Sequence, residues 1–506
     1  MDRSPPPPVP GTRTALPPRV AEAVVFLASA SVLVLEIVAL RLVAPYVGIT
    51  LQTSSAVIGS ALGAIATGAW AGGRSADRWD PGALLAPILG LGGALTVATR
   101  PVVRGIGEAL AGGPNAPAAL LLAMAAVFPP AALLSAVTPL VVKLHLAELS
   151  RTGTVVGRLS AIATLGAITA TFATGFVLLV VFGTGTLIIG TGSLLMAAAA
   201  ALAAARGFGR LGRRTGAALT VTALLPLPLL APLTPNPCAV ETAYHCVRVE
   251  TDPDRAGGRL LWLDDLAHSY VDLDDPGHLE FSYAGAIAAV VDETFPGNRP
   301  ITSLSVGGGG LSLPRYLAAA RPGSAATVLE IDPGVAAVAR QRLGADTIPA
   351  LRIRVGDARV ALGREEPAGY DLVIGDAFGG LAVPWHLTTR EAVAEVRRTL
   401  APGGLYVVNV IDYRPQRFAR AEVATLRALF PYVVIAAEAE TLTGVGGGNH
   451  LLIASMTPLP TAQLQAAVRA RVPGWDLLDP AGTAAFTGAT PALTDDRAPV
   501  DQLISG

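Results

Sequence analysis

The stretch SLSVGGGGLSLPRYL, residues 303–317, joins an apolar strand pattern to a helix pattern through four consecutive glycines, Gly307–Gly310. Glycines before a helix let the backbone approach a ligand closely, and the helix N-terminus offers free N–H groups to it. A glycine run alone is weak evidence in a chain that contains 55 glycines. Its meaning therefore depends on the elements that follow it.

From residue 301 onward, apolar strand patterns alternate with helical patterns. The predicted strands cover 301–306, 326–331, 351–355, 370–375, 404–411, 432–437 and 450–455, and the predicted helices cover 312–320, 333–343, 389–400 and 418–429. This alternation predicts a doubly wound, mostly parallel α/β sheet of the Rossmann-like type in residues 301–506. Two alternating stretches on either side of a Gly-Gly turn at 257–258 predict a small β subdomain in residues 236–300.

Polar residues and glycines follow the first four predicted strands, where the ligand of such a sheet lies. They are Gly307–Gly309, Glu330, Asp357 and Asp376. Glu330 comes 21 residues after Gly309, a spacing at which an acid can hydrogen-bond ribose hydroxyls. The strict dinucleotide fingerprint fails, because Ser312 stands where its third glycine belongs. The pattern predicts one ligand cleft, and the alternative for Asp376 is a helix cap or a turn.

The first half of the chain has the composition of a membrane protein. The chain has 506 residues, 52% hydrophobic and 15% charged, and a Pro-rich tail in 1–19 is predicted to be disordered. Seven apolar stretches of spanning length follow in 20–235, near 20–44, 52–72, 83–99, 117–142, 159–182, 185–205 and 215–234. The last ends in LLPLPLLAPLTP, residues 224–235, which contains four prolines, so a re-entrant or interfacial segment is the alternative there. A multi-pass protein of the cell membrane is predicted.

The side of the membrane on which the second half lies stays open. With a cytoplasmic N-terminus, the inner loops hold twelve Arg or Lys and the outer loops two, Arg100 and Arg104. Seven spans then place the second half outside, and a disulfide between Cys238 and Cys246 would agree with that side. Two unrelated thiols are the alternative, and the supply of an intracellular cofactor favours the cytoplasm.

The near-zero net charge and the lack of a basic patch argue against a nucleic-acid partner.

Several motifs resemble the spermidine synthases (polyamine aminopropyltransferases), and the whole chain resembles their membrane-fused bacterial members. The resemblance covers roughly 20–503. It includes LVLEIVALRLVAPYVG and GAWAGGRSADR in the first half, and LEFSYAGA, VLEIDP, GDAFGG, VPWHLTT, APGGLYVVNV and LTDDRAPV in the second. It implies a fold of the S-adenosylmethionine-dependent methyltransferase type and a sulfonium nucleoside as co-substrate, without a metal.

The resemblance also implies a role for each candidate site residue. Gly307, Gly308 and Gly309 would line the nucleoside, Glu330 would hold the ribose, Asp357 would face the adenine amino group, Asp376 would be the catalytic carboxylate and Tyr283 an orienting hydroxyl. A carboxylate suits this chemistry, because an amine attacks the carbon beside a sulfonium only after it has lost a proton. His268 stands where the family usually has glutamine, as a substrate-binding or packing residue. For Tyr283 the alternative is an ordinary core aromatic.

Two positions depart from the family pattern. Gly310 replaces an acid that pairs with the aminopropyl end of decarboxylated S-adenosylmethionine, and Ala284 replaces a glutamine that contacts the diamine. We therefore expect aminopropyl transfer to a small amine such as putrescine. Methyl or other alkyl transfer from intact S-adenosylmethionine is the first alternative, and a transporter or sensor that binds a nucleoside without turnover is the second. A homo-oligomer is compatible with the sequence, which does not decide the oligomeric state.

Overall fold

The structure is a computed structural model that describes residues 16–49, 51–110, 116–146, 151–205, 237–242, 244–380 and 382–504. The chain divides into two compact units, Met1–Pro237 and Cys238–Gly506. We call them the helical unit and the α/β unit.

The helical unit consists of long apolar helices. They are α1 (Pro18–Val47), α2 (Leu51–Arg78), α3 (Pro81–Ala109), α4 (Ala116–Ser135), α5 (Val137–His145), α6 (Thr152–Ala173, continued by a π-helical turn Thr174–Leu178 and a short turn Leu179–Val181) and α7 (Thr184–Ala205). Among the described residues, six helical stretches are long and apolar enough to cross a membrane, with α4 and α5 counted as one stretch. The predicted seventh span, near 215–234, lies outside the described residues.

Small residues allow the helices of this unit to approach closely. A Cβ on Gly72 would lie 2.6 Å from the Cα of Ala136, and one on Gly93 would lie 2.6 Å from the carbonyl oxygen of Gly192. Any side chain at either position would push the neighbouring backbone away. Close packing through small residues is typical of helix contacts in membranes, where apolar surface alone drives no association.

The α/β unit begins with a small antiparallel sheet. Its strands are β1 (Val240–Glu241), β2 (Cys246–Thr251), β3 (Gly258–Leu263) and β4 (Leu266–Asp272), in that order. Cys238 and Cys246 form a disulfide across its first hairpin, with their Cα atoms 5.0 Å apart. Of the two alternatives that the sequence left open for the cysteines, the structure has the disulfide. Next comes a buried helix, α8 (Ser282–Thr294), which the sequence analysis missed in its all-β subdomain.

An eight-stranded mixed sheet forms the centre of the α/β unit. Its strands are β5 (Thr302–Val306), β6 (Ala325–Glu330), β7 (Leu351–Val355), β8 (Tyr370–Gly375), β9 (Leu400–Asp412), β10 (Tyr432–Glu438), β11 (Gly448–Ser455) and β12 (Trp475–Leu478). The order is β12-β10-β11-β9-β8-β5-β6-β7. The four pairings from β9 to β7 are parallel, whereas the three from β12 to β9 are antiparallel. The sheet is therefore more mixed than the predicted mostly parallel one.

Helices cover both faces of this sheet. They are α9 (Ser312–Ala320), α10 (Pro333–Arg342), α11 (Ala358–Leu362), α12 (Arg390–Thr399), α13 (Arg417–Arg427), α14 (Ala439–Leu442), α15 (Thr461–Arg471), α16 (Pro480–Thr487) and α17 (Val500–Ile504). The two largest apolar cores among the described residues of this unit pack around α13 and around α8 and α15. This is the predicted Rossmann-like class with helices on both faces.

Candidate active site

The polar residues of interest meet at one edge of the large sheet. The parallel strands β5, β6, β7, β8 and β9 end there, and β10 ends there too, because it is antiparallel to β11, which is itself antiparallel to β9. β11 and β12 begin at this edge. A cavity of about 470 Å³ opens there. All eight sequence-predicted site residues line it: His268, Tyr283, Gly307, Gly308, Gly309, Glu330, Asp357 and Asp376.

In the glycine loop after β5, position 307 requires glycine because of its backbone conformation and its close approach to β8. Gly307 has φ +97°, and a Cβ there would collide with the carbonyl oxygen of Asp376. The N–H groups of Gly308 and Gly309 donate to Oε2 of Glu330 over 3.0 and 3.4 Å. The loop is therefore held against β6 and β8, and its bare backbone faces the cavity.

Glu330, the last residue of β6, is held by backbone groups on both carboxylate oxygens. Its Oε1 accepts from the N–H of Asp332 over 2.9 Å, and its side chain is nearly buried. Burial raises the pKa of Glu330, while the backbone N–H donors from Asp332 and the glycine loop lower it in part. Since an ionised carboxylate has about four lone-pair sites, Glu330 can still accept hydrogen bonds from a ligand.

Asp376 follows β8 and is held by two side chains. Asn409 Nδ2 donates to its Oδ1 over 2.9 Å, and the Tyr283 hydroxyl donates to its Oδ2 over 3.2 Å. Burial raises the pKa of Asp376 to about 6, although both donors lower it. Burial and the adjacent carboxylate raise the pKa of Tyr283 well above its usual range, so its hydroxyl stays protonated. Among the residues that the structure describes, the two oxygens of Asp376 accept from side chains, and neither caps a helix.

Asn409, which the sequence analysis missed, completes the surroundings of this carboxylate. It lies in β9, is 2% exposed, and its Oδ1 has no hydrogen-bond partner among the described residues although it is buried. A buried acceptor without a donor is costly unless a ligand supplies one. The detectable signal was a lone polar residue within the apolar strand LYVVNV.

Asp357, after β7, is more exposed than the other carboxylates. Its Oδ1 accepts from the backbone N–H of Arg359 over 2.7 Å and so caps α11. Nε2 of His386 lies 3.8 Å from the same oxygen. His386 comes from the VPWHLTT motif and also lines the cavity. Asp357 therefore has a structural role as a cap in addition to its position at the cavity.

Two histidines from the small sheet close another side of the cavity. Burial lowers the pKa of His268 to about 4, and the neighbouring His245 adds to this, so His268 is neutral at pH 7. Nδ1 of His245 lies 2.8 Å from Oδ2 of Asp264, and its ring centroid is 6.5 Å from that of His268. The sequence analysis did not select His245. Its pairing with Asp264, 19 residues further along the chain, has no sequence signal.

A further side of the cavity is formed by residues that the sequence analysis did not select. Glu438 is the last residue of β10, and Trp475 opposite it begins β12. The Trp475 indole N–H is buried and has no acceptor among the described residues. Glu438 could have been found, because it directly follows a strand predicted at 432–437 and meets the same criterion as Asp376.

The two positions that depart from the family pattern are packed. The Gly310 N–H donates to Ser269 Oγ over 2.9 Å, and a Cβ at position 310 would lie 2.7 Å from the Cβ of Ser269. β4 therefore occupies the space that an acidic side chain would need. Ala284 lies in α8, is 3% exposed and packs in the core. Neither position offers a polar side chain to the cavity.

No group of three or more His, Cys, Asp or Glu residues suited to a metal ion occurs in the ranges that the structure describes. The glycine loop, the strand-end carboxylates and a mixed sheet with helices on both faces define a Rossmann-like fold of the methyltransferase type. The predicted fold class is confirmed.

Comparison with known proteins places the chain beside two groups of transferases. It is 32% identical over 168 residues to the polyamine aminopropyltransferase of Vibrio vulnificus, a match that covers 33% of this chain and 54% of that protein. It is 27% identical over 199 residues to the human eEF1A lysine and N-terminal methyltransferase, covering 35% of this chain and 27% of that protein. A crystal structure of a probable spermidine synthase from Corynebacterium glutamicum is 29% identical, with a TM-score of 0.48, and covers 52% of this chain and 97% of the other.

No protein-family model matches the chain. The chain spans about half the length of its Vibrio relative. The predicted resemblance to polyamine aminopropyltransferases is confirmed, and the relatives that the comparisons name are transferases. The resemblance of the helical unit to membrane-fused members stays a prediction.

Proposed function

We propose that the α/β unit transfers an aminopropyl group from decarboxylated S-adenosylmethionine to a small primary amine, with a diamine such as putrescine as the expected acceptor. The observation that carries the proposal is the half-buried Asp376, which Asn409 and Tyr283 hold at the end of β8 beside the glycine loop. The confirmed resemblance to polyamine aminopropyltransferases supports the same chemistry.

The reaction forms one C–N bond and breaks one C–S bond. The sulfonium supplies an activated carbon and a neutral thioether as its leaving group. Asp376 orients the acceptor ammonium and takes the proton that the nitrogen must lose in order to attack. Because burial raises the pKa of Asp376 to about 6, the carboxylate is ionised at pH 7 and is a stronger proton acceptor than an exposed aspartate. Tyr283 and Asn409 fix its two oxygens.

The cavity offers the acceptor amine polar groups besides Asp376. Asn409 lines the cavity and holds Asp376 through its amide nitrogen. Glu438, at the same cavity, provides a carboxylate for the far ammonium of a diamine. This arrangement favours an acceptor with two cationic ends over a monoamine.

The nucleoside end of the cavity fits an adenosyl group. Backbone N–H groups and the absence of side chains at Gly307–Gly309 allow close approach, Glu330 provides acceptors for ribose hydroxyls, and Asp357 provides one for an exocyclic amine. We propose these roles together with a substrate-contacting role for His268, which is neutral and so can both donate and accept.

The proposal is tested with the purified full-length chain. Decarboxylated and intact S-adenosylmethionine are incubated separately with putrescine, other diamines and matched monoamines, and the nucleoside product is identified by mass. Methylthioadenosine release from the decarboxylated donor, with diamines faster than monoamines, is expected. If calorimetry detects nucleoside binding but no acceptor gives product, the α/β unit is a binding module rather than an enzyme.

A second candidate function is transfer from intact S-adenosylmethionine. Gly310 favours it, because no carboxylate stands at that position to repel the carboxylate of the undecarboxylated donor. Similarity to a methyltransferase supports it too. In the same assay, release of S-adenosylhomocysteine from the intact donor identifies methyl transfer and replaces the first proposal.

A further inference from the structure

The helical unit contains a cavity of about 690 Å³ that the proposed transfer reaction does not use. Its lining residues come from α1, α2, α6 and the α4–α5 segment. α2 packs against α4 and α5, while α6 packs against α1, so α2 and α6 form opposite walls. The volume lies within the usual range of roughly 300–1,000 Å³ for small-molecule sites.

The cavity is elongated, and its charged lining residues, Asp77 and Lys143, lie at one end. Along α2 it extends from Ile65 to Asp77, a rise of about 18 Å at 1.5 Å per residue. One leaflet of a bilayer's hydrocarbon core is about 15 Å thick. If α1–α7 cross a membrane, as their length and composition allow, the cavity therefore spans one leaflet from its surface to the middle of the bilayer.

An ion pair marks the surface end. Lys143 Nζ lies 2.7 Å from Asp77 Oδ1, and both residues are near the ends of their helices, α5 and α2. Their side chains remain 39% and 67% exposed, so both can still contact a ligand. The opposite end is uncharged and mainly apolar, with Leu33, Ile65 and Leu134 beside the hydroxyls of Ser29 and Ser135.

We propose that this cavity binds one zwitterionic amino-phospholipid, with an acyl chain between α2 and α6 and its headgroup at the ion pair. Lys143 would contact the phosphate and Asp77 the ammonium, since a headgroup with both charges matches a site with both charges. An anionic headgroup satisfies Lys143 alone and places a negative charge beside Asp77. A quaternary ammonium has no N–H to donate to the Asp77 carboxylate.

Two glycines of α2 provide a matched pair of variants. Gly73 lines the cavity, and a Cβ there would meet no atom within 4 Å, so a larger side chain enters the cavity without displacing backbone. Gly59, on the same helix, is equally open, but it is exposed and does not line the cavity. Ala69→Leu is a second cavity-filling variant, because Ala69 also lines the cavity and is exposed.

The test uses the full-length chain in nanodiscs that contain equal amounts of phosphatidylethanolamine, phosphatidylcholine and phosphatidylglycerol with identical acyl chains. Native mass spectrometry of the released protein counts the lipids retained. We expect one phosphatidylethanolamine per chain, a loss of at least about tenfold in its retention in Gly73→Leu and Ala69→Leu, and wild-type retention in Gly59→Leu. Asp77→Asn is expected to shift the preference towards phosphatidylglycerol, because Lys143 then lacks its counter-charge.

Thermal unfolding of each variant shows whether a loss of lipid reflects a loss of fold. Equal retention by Gly73→Leu and Gly59→Leu would mean that the lipids coat the surface only, and the proposal is overturned. Retention of all three lipids without preference, or unchanged preference in Asp77→Asn, overturns the assignment of the headgroup. Neither result depends on the activity of the α/β unit.

Discussion

At the scale of single residues, the proposed proton transfer depends on the carboxyl group of Asp376, whose ionisation can be measured. Burial raises its pKa to about 6. Below that pH the group is protonated and cannot take a proton from the acceptor amine, so kcat/KM should fall as the pH falls through about 6. Asp376→Asn should lower kcat by about 100- to 10,000-fold, the usual contribution of a positioned proton acceptor.

The matched control for this variant is Asp346→Asn. Asp346 forms an exposed ion pair with Arg340 away from the cavity, and such pairs contribute little. It should retain the wild-type rate and the wild-type pH profile. An Asp376→Asn protein that binds the nucleoside and still turns over at a rate near that of Asp346→Asn would remove Asp376 from the proposed role.

Tyr283 acts on the same carboxyl group from a second position. Its hydroxyl donates to Asp376, and this hydrogen bond stabilises the ionised form and lowers the pKa of the carboxyl group. Tyr283→Phe removes the hydroxyl but keeps the ring that packs beside Phe281. The acid limb of kcat/KM should therefore move to higher pH, with a smaller loss at pH 8 than at pH 6. A uniform loss across the pH range would indicate that Tyr283 only packs.

At the scale of elements, the contact between the glycine loop and β4 positions the backbone that we propose binds the co-substrate. Because a Cβ on Gly310 would lie 2.7 Å from the Cβ of Ser269, Gly310→Ala should destabilise the fold by about 1–3 kcal/mol, as overpacking typically does. The double variant Gly310→Ala with Ser269→Gly should recover part of this loss. Denaturant unfolding of the four members of the cycle measures the coupling.

Gly363→Ala serves as the control for this cycle. Gly363 has an ordinary helical φ of −64°, and the nearest atom to a Cβ there is 3.7 Å away. It should unfold at or slightly above the wild-type midpoint. Equal effects of Gly310→Ala and Gly363→Ala, or no recovery in the double variant, would show that β4 does not constrain the loop.

Local patterns predicted most of the elements but not their pairing. The helix 312–320 and the strands 351–355 and 370–375 have the predicted bounds. The antiparallel direction of β10, β11 and β12 relative to their neighbours depends on connections that periodicity does not encode. α8 was missed because its sequence, SYAGAIAAVVDET, is apolar on nearly every side and has no amphipathic period.

The candidate site was predictable where a residue directly follows a strand. Asp376, Glu330 and Asp357 were found by that criterion, because parallel strands bring their carboxyl ends to one edge. Asn409 and Trp475 lie inside or at the beginning of strands, and only the fold brings them to the same cavity. The unsatisfied Asn409 oxygen in particular depends on long-range packing, which no local sequence pattern shows.

At the scale of the whole molecule, the surface of the helical unit suits lipid and that of the α/β unit suits water. The helical unit exposes large apolar side chains such as Phe172 and Phe176, at 61% and 75%, which suits lipid rather than water. The α/β unit has charged residues on its helices and the cavity at which we propose that a water-soluble nucleoside binds. Which aqueous compartment holds the α/β unit therefore decides which pool of co-substrate it can use.

The disulfide between Cys238 and Cys246 makes that compartment measurable, because a disulfide persists only on an oxidising side. An odd number of spans from a cytoplasmic start, as the sequence predicts, places the α/β unit outside. In intact cells we expect both cysteines to resist an impermeant maleimide until an impermeant reductant is added outside.

Control cysteines in two loops test the orientation of the spans. In a background with Cys238→Ser and Cys246→Ser, Ile49→Cys in the first loop should be labelled from outside, and Trp79→Cys in the second loop should be labelled only in permeabilised cells. Labelling of Cys238 and Cys246 only after permeabilisation, without reductant, would place the α/β unit in the cytoplasm and leave the cysteines as free thiols.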